Sequence, residues 1–313
     1  MIWLHRYAVV VAGATLLLVT AGGMVTSTNS GLSVPDWPTT YGHAMFAFPL
    51  SQMVGGILYE HGHRLIASTV GLLTIGLAIW IWRVDRRRWM TRLGLVALGA
   101  IVLQGVLGGL TVLFFLPPPI SIGHASLAQL FFCLIVSVAV FTSRAWLRPA
   151  RPPEDDRTLK RQTMTLTVIV YIQILLGATM RHMGAGLAIP DFPLMFGRLL
   201  PPFWSPAIAV HFAHRMTALV VAVLTIRLAW QVFHRFRDRV DLVRPVVILV
   251  ALIAVQITLG AFVVLTGKDP LINTIHVATG ALVFATTVVL ALRAHRARFA
   301  DAAPLRASAQ HAV

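Results

Sequence analysis

The sequence predicts an all-α integral membrane protein of eight transmembrane helices, arranged as two tandem, repeat-related four-helix bundles. Three observations carry that expectation. Of the 313 residues, 57% are apolar and only 12% are charged, against about 25% charged in a soluble domain. The apolar residues gather into eight runs, each near or above the ~20 residues needed to cross ~30 Å of hydrocarbon. The two halves of the chain also repeat one another in motif order.

The first run, 7–26, follows Met1-Ile-Trp-Leu-His-Arg6. That start resembles a signal peptide, but no A-x-A-like cleavage site comes after the run, and it is long enough to span, so it reads as a retained helix. The second run, 55–82, opens with polar residues, which places its first turns against protein or at the outer interface. Runs at 93–115 and 121–142 complete the first half. The stretch RAWLRPARPPEDDRTLKR (144–161) is rich in proline, arginine and acids, has no apolar period, and reads as a linker. Runs at 163–180, 206–230, 245–265 and 272–292 follow, and the sixth opens with polar residues as the second does. The expected division is an N-terminal bundle (1–143), a cytoplasmic linker (144–162), a C-terminal bundle (163–293) and a cytoplasmic tail (294–313).

The formal net charge is +15, which in a soluble protein would suggest nucleic acid. Here 21 of the 26 basic residues fall on one side if the N-terminus is inside. The positive-inside rule then puts both termini in the cytoplasm of a bacterial-type plasma membrane, and the basic excess needs no nucleic-acid partner. The single cysteine, Cys133, excludes an intramolecular disulfide, and also a cysteine zinc site or iron–sulfur cluster held by this chain alone. Dinucleotide fingerprints, P-loops and nucleophile elbows are missing.

The repeat has four parts. Gly31-Leu-Ser-Val-Pro35-Asp36-Trp37-Pro38 recurs as Gly186-Leu-Ala-Ile-Pro190-Asp191-Phe192-Pro193, and Glu60-x-x-His63-Arg64 recurs as His211-x-x-His214-Arg215. Gln104-x-x-Leu-Gly108 recurs as Gln256-x-x-Leu-Gly260, and His124 as His276, all at offsets between 151 and 155. Two units of the same topology are related by an axis along the membrane normal.

Four histidines therefore pair: His63 with His214 and His124 with His276. Each lies near the start of an even-numbered run, so all four sit at similar depth toward the outer face. A haem iron takes two axial imidazoles on opposite ring faces, and a four-helix bundle offers a slot between facing helices. The bland alternative for each is a helix–helix hydrogen bond. Among the others, His43, His61 and His182 lie in or near outer loops as accessory candidates, and His5, His234, His295 and His311 read as inner-surface residues.

Glu60 is the carboxylate nearest an apolar span, on the face of His63, and its repeat partner is His211 rather than an acid. It would act as a base or stabilise developing positive charge, or only orient His63 or pair with Arg64. Arg64 and Arg215 are candidate propionate contacts, with interfacial anchoring as the alternative. Gln104, Gln173 and Gln256, each in Gln-x-x-Leu-Gly, are expected to pack helices. Asp36 and Asp191 are expected to shape the outer loops, and Trp37 and Phe192 to sit at the headgroup level.

Gly31-Leu-x-x-Pro-Asp-Trp-Pro, Glu60-x-x-His63-Arg64, His124, His214-Arg215 and His276, set on eight spans, together resemble the haem A synthase family over about residues 7–292. The resemblance implies oxidation of the C8 methyl of haem O to a formyl group by successive hydroxylations, giving haem A for terminal oxidases. It implies that His214 and His276 ligate an electron-carrying haem b, that His63 and His124 ligate the substrate haem, and that Glu60 is the acid the oxidation needs. Oxygen would come from water and electrons would leave toward an acceptor the sequence does not identify. The implied partners are the lipid bilayer, haem O and the enzyme that makes it. Some members carry a cysteine pair in the first outer loop; here Val34 stands in that context, so a loop disulfide has no part. Two other readings compete: a di-haem b-type membrane cytochrome exchanging electrons with quinone, which shares the ligands and bundle but leaves Glu60 unexplained, and a transporter built on a duplicated bundle, which suits the repeat but not the axial histidines.

Overall fold

A computed structural model describes residues 1–147 and 156–296. The middle of the linker, the tail from 297 and His311 lie outside the described residues. The helices are α1 (Ile2–Ser27), α2 (Gly55–Val84), α3 (Arg88–Leu113), α4 (Pro118–Thr142), a short α5 (Arg144–Leu147), α6 (Arg157–His182), α7 (Pro206–Arg235), α8 (Val240–Leu265) and α9 (Pro270–Ala294). All but α5 are long and apolar enough to cross a membrane, which gives the eight expected spans.

The helices outrun the apolar stretches at their basic ends. α3 starts at Arg88 and α6 at Arg157, and α7 continues to Arg235. Arginine is a good helix former, and its long stem lets the charge reach water while the backbone stays helical. At the opposite end the starts are set by local chemistry. Pro118, Pro206 and Pro270 open α4, α7 and α9, where a missing N–H costs nothing. The Asp269 carboxylate accepts from the N–H groups of Leu271 and Ile272, both at 3.0 Å.

The first four spans close a ring in the order α1, α2, α3, α4, and α6, α7, α8 and α9 close a second. α2 and α4 thus stand diagonally across one ring, and α7 and α9 across the other. α1 and α4 pack on α9, and α4 also packs on α6. Leu4, Leu77, Ile81, Met90 and Ile135 build the first core. Leu166, Leu228, Leu242 and Leu249 build the second, where Val19, Phe132 and Cys133 enter from the first half. Large apolar side chains such as Leu72, Val102, Leu219 and Ile226 face outward, as lipid contact requires.

A polar knot ties the halves near the long-loop end. Arg181 of α6 donates to the Gly23 carbonyl at 2.8 Å and to Ser27 Oγ at 2.7 Å, both on α1. Thr274 of α9 reaches the same Ser27 at 3.2 Å.

Candidate functional site

Two loops, 28–54 and 183–205, cover one end of the rings and fold alike. Asp36 accepts from Tyr41 N at 2.8 Å, Gly42 N at 2.9 Å and Thr39 Oγ1 at 2.5 Å. Asp191 accepts from Phe196 N at 2.7 Å and Gly197 N at 2.8 Å. Each carboxylate holds a tight turn in which both central residues have positive φ: 49° and 77° at Tyr41-Gly42, 58° and 72° at Phe196-Gly197. Such turns favour glycine, and the bulky Tyr41 and Phe196 are held there by the aspartate bonds. Burial pushes the Asp36 carboxyl up, but the Gly42 N–H, the Thr39 hydroxyl and the Tyr41 N–H outweigh it and hold it at about 2. The Gly197 N–H chiefly holds Asp191 below the usual carboxylate range. The peptide bonds Trp37–Pro38 and Phe192–Pro193 are both cis.

Each loop is clamped by the arginine that follows the candidate ligand. Arg64 Nη1 donates to the carbonyls of Asp36 (2.7 Å) and Thr39 (3.0 Å), and Nη2 to Val34 O (3.0 Å) and Glu60 Oε1 (2.7 Å). Arg215 donates to the carbonyls of Asp191 (2.7 Å), Leu194 (3.0 Å) and Ile189 (3.2 Å). Most of the N–H groups of each arginine are therefore spent on holding its loop. The sequence could not show this, because the loop carbonyls reach the arginines only when the loops fold back.

Glu60 is buried, at 3% exposure. Its second oxygen accepts from Val34 N at 2.8 Å. His211 stands in the same place in the other half: Nδ1 faces Ile189 N at 3.3 Å, and Nε2 accepts from Arg215 Nε at 3.2 Å. The two residues share a structural task and differ in charge. His61, expected in or near an outer loop, is buried in the first turns of α2 against that loop, its Nδ1 2.9 Å from Thr40 Oγ1.

The four paired histidines are seated alike. Each ring lies against a glycine of the preceding span. A methyl group on Gly22 would come within 3.0 Å of His63 Nε2, and one on Gly108 within 3.3 Å of His124 Cε1. The corresponding approaches are 3.1 Å from Gly177 to His214 Cε1 and 3.2 Å from Gly260 to His276 Cε1. His63 on α2 and His124 on α4 lie within electrostatic reach of one another, as do His214 on α7 and His276 on α9. Each pair thus comes from diagonal helices of one ring.

The glutamines, expected only to pack helices, meet the histidines directly. Gln104 Nε2 donates to the His124 carbonyl at 3.1 Å, and Gln173 Nε2 to the His214 carbonyl at 3.0 Å. Gln256 Nε2 lies 3.3 Å from His276 Nε2. The signal was in the sequence: each Gln-x-x-Leu-Gly closes one span, and a paired histidine opens the next.

These features fit a haem in each ring. The glycines open room for the imidazoles, and the Nδ1 atoms of His124 and His276 are buried without a partner. Among the described residues no three His, Cys, Asp or Glu side chains converge. Two imidazoles suffice for an iron whose other ligands come from a macrocycle.

The profile of the COX15-CtaA family, described as cytochrome oxidase assembly protein, matches residues 5–288. The chain is 35% identical over 272 residues to the heme A synthase of Symbiobacterium thermophilum, covering 83% of this chain and 85% of that protein. It is 30% identical over 270 residues to the heme A synthase of Shouchella clausii, covering 84% and 87%. The heme A synthase of Alkalihalophilus pseudofirmus is 25% identical over 283 residues, covering 90% and 94%.

Proposed function

This chain belongs to the COX15-CtaA family of haem A synthases and is a membrane oxidoreductase that makes haem A from haem O; we propose that it oxidises the C8 methyl of haem O in its N-terminal ring and passes the electrons out through its C-terminal ring. His63 and His124 would hold the substrate iron. His214 and His276 would hold haem b, which when bound supplies reversible one-electron transfer. Turning a methyl into a formyl group with oxygen from water removes electrons and protons in successive two-electron steps, so the chain must supply a proton acceptor beside the substrate and an exit for electrons.

The observation that carries the division is the chemical difference at one equivalent place. Glu60 sets a carboxylate one turn from His63, whereas the other ring has the neutral-capable His211 there. Both Glu60 oxygens are engaged, one by Arg64 and one by Val34 N. Each oxygen keeps a second lone pair, so Glu60 can take a proton while it holds the loop. Arg64 and Arg215 hold the loops through their carbonyl bonds, and a propionate would meet an N–H that those bonds leave over. A second reading is favoured by the match with His211: Glu60 anchors the loop and does no chemistry.

Alanine variants of the four histidines, with extracted haems identified by chromatography, test the division. His214→Ala and His276→Ala should lose haem b. His63→Ala and His124→Ala should keep it and fail to convert haem O. The opposite pattern would reverse the halves, and haem B alone in both rings of the unmodified protein would point to a di-haem cytochrome.

A further inference from the structure

The four histidine seats are alike except at one. Four residues ahead of the glycine that faces each ring stand Gln104, Gln173, Gln256 and, for His63, Leu18. Gln173 Nε2 lies 3.2 Å from His214 Nδ1 and Gln256 Nε2 lies 3.3 Å from His276 Nε2, whereas Gln104 reaches only the His124 backbone carbonyl and His63 makes no side-chain hydrogen bond among the described residues. The rings are also turned differently. Gly108, Gly177 and Gly260 face Cε1 with Nδ1 as the next atom, whereas Gly22 faces Nε2 with Cδ2 next.

A metal-bound imidazole needs an acceptor for its second ring N–H, which fixes the tautomer and the ring plane. The Oε1 atoms of Gln104, Gln173 and Gln256 are all buried without a partner, and so are the Nδ1 atoms of His124 and His276. At Gln256, whose Nε2 stands 3.3 Å from His276 Nε2, rotation of the amide end would set its oxygen there as an acceptor, whereas Gln104 and Gln173 already use Nε2 on a histidine carbonyl. Leu18 has neither group to offer.

We propose that Gln173 and Gln256 are positioning residues that lock the His214 and His276 rings for iron binding, and that His63, with Leu18 in the matching place, is the ligand that lets go. This rests on the haem reading of the four histidines. The C-terminal ring then has both ligands locked, as a resident cofactor requires. In the N-terminal ring neither imidazole is met by a glutamine, as a site that must admit haem O and release haem A requires.

The test uses the full-length enzyme purified with its haems. Transfer of haem to excess apomyoglobin gives release rates, and the low-spin EPR signal reports the ligand field at each iron. Gln173→Leu and Gln256→Leu should each speed haem b loss by about 10–100-fold, the usual effect of removing an outer-shell partner, and shift only the haem b signal. Leu18→Gln should slow haem A release by a similar factor and shift only the N-terminal signal. Unchanged haem b release and signal in both glutamine variants, or unchanged haem A release in Leu18→Gln, would overturn the inference. If the unmodified protein shows no bis-histidine haem signal, the haem reading fails and takes this inference with it.

Discussion

Glu60 and His211 each face a loop N–H and the arginine one turn on, so replacing one by the other's type keeps the place in the clamp and changes the charge. Glu60→His is therefore a sharper probe than a simple deletion. If Glu60 exchanges protons with the reacting methyl, Glu60→His and Glu60→Gln should both bind haem O yet convert it ~10²–10⁴-fold more slowly, the usual cost of losing a positioned acid or base. If Glu60 only anchors the loop, Glu60→His should convert bound haem O at near the parental rate. Haem A formed per haem O bound, measured in one sample, decides between them.

At the scale of the element, the first loop covers its ring more closely than the second. Trp37 lies so near α3 that a methyl on Gly109 would come within 2.5 Å of its indole, and Gly109 adjoins the glycine that seats His124. The corresponding position of the second half is Ala261, and there Phe192 lies under Arg215 instead, with the guanidinium 5.7 Å from the ring centre. Trp37 is therefore a cover for the N-terminal ring. Gly109→Ala should displace it and weaken retention of haem O while leaving haem b in place. Gly105→Ala on the same helix, where an added methyl meets nothing within 4 Å, should retain both haems. Equal haem O retention in the two variants would show that the cover is not needed.

Across the whole molecule, the halves share a face rather than a thread of linker. Val19, Phe132 and Cys133 pack into the second core, and Arg181 donates across the joint to Gly23 and Ser27. Arg181 also lies within electrostatic reach of His276, and His182 within reach of His124, so one short segment of α6 faces a ligand candidate from each ring. Interhelical hydrogen bonds in membranes are individually modest. Arg181→Met should lower stability by about 1 kcal/mol, read as a fall in the detergent unfolding midpoint, with the haem spectra unchanged below the transition. An unaltered midpoint would mean that apolar packing alone holds the joint.

The sequence by itself determined the eight spans, their basic flanks, the two related loops and the four paired histidines. Those are one-dimensional properties: a run of apolar residues long enough for a bilayer leaves few alternatives to a helix, and a recurring motif shows itself by spacing. It also placed Glu60 beside His63, because three residues along a helix is one turn. Only the tertiary structure decided what these groups touch. Arg64 was legible as a cation next to a ligand candidate, but its partners are loop carbonyls 25 to 30 residues away. The glutamines were legible as a repeated motif, but their role depends on the rotation of each span about its axis, which brings Gln173 to His214 across 41 residues of chain. That rotation is chosen by the packing of whole helices, with α1 wedged between α2, α4 and α9, and no local stretch of sequence encodes it.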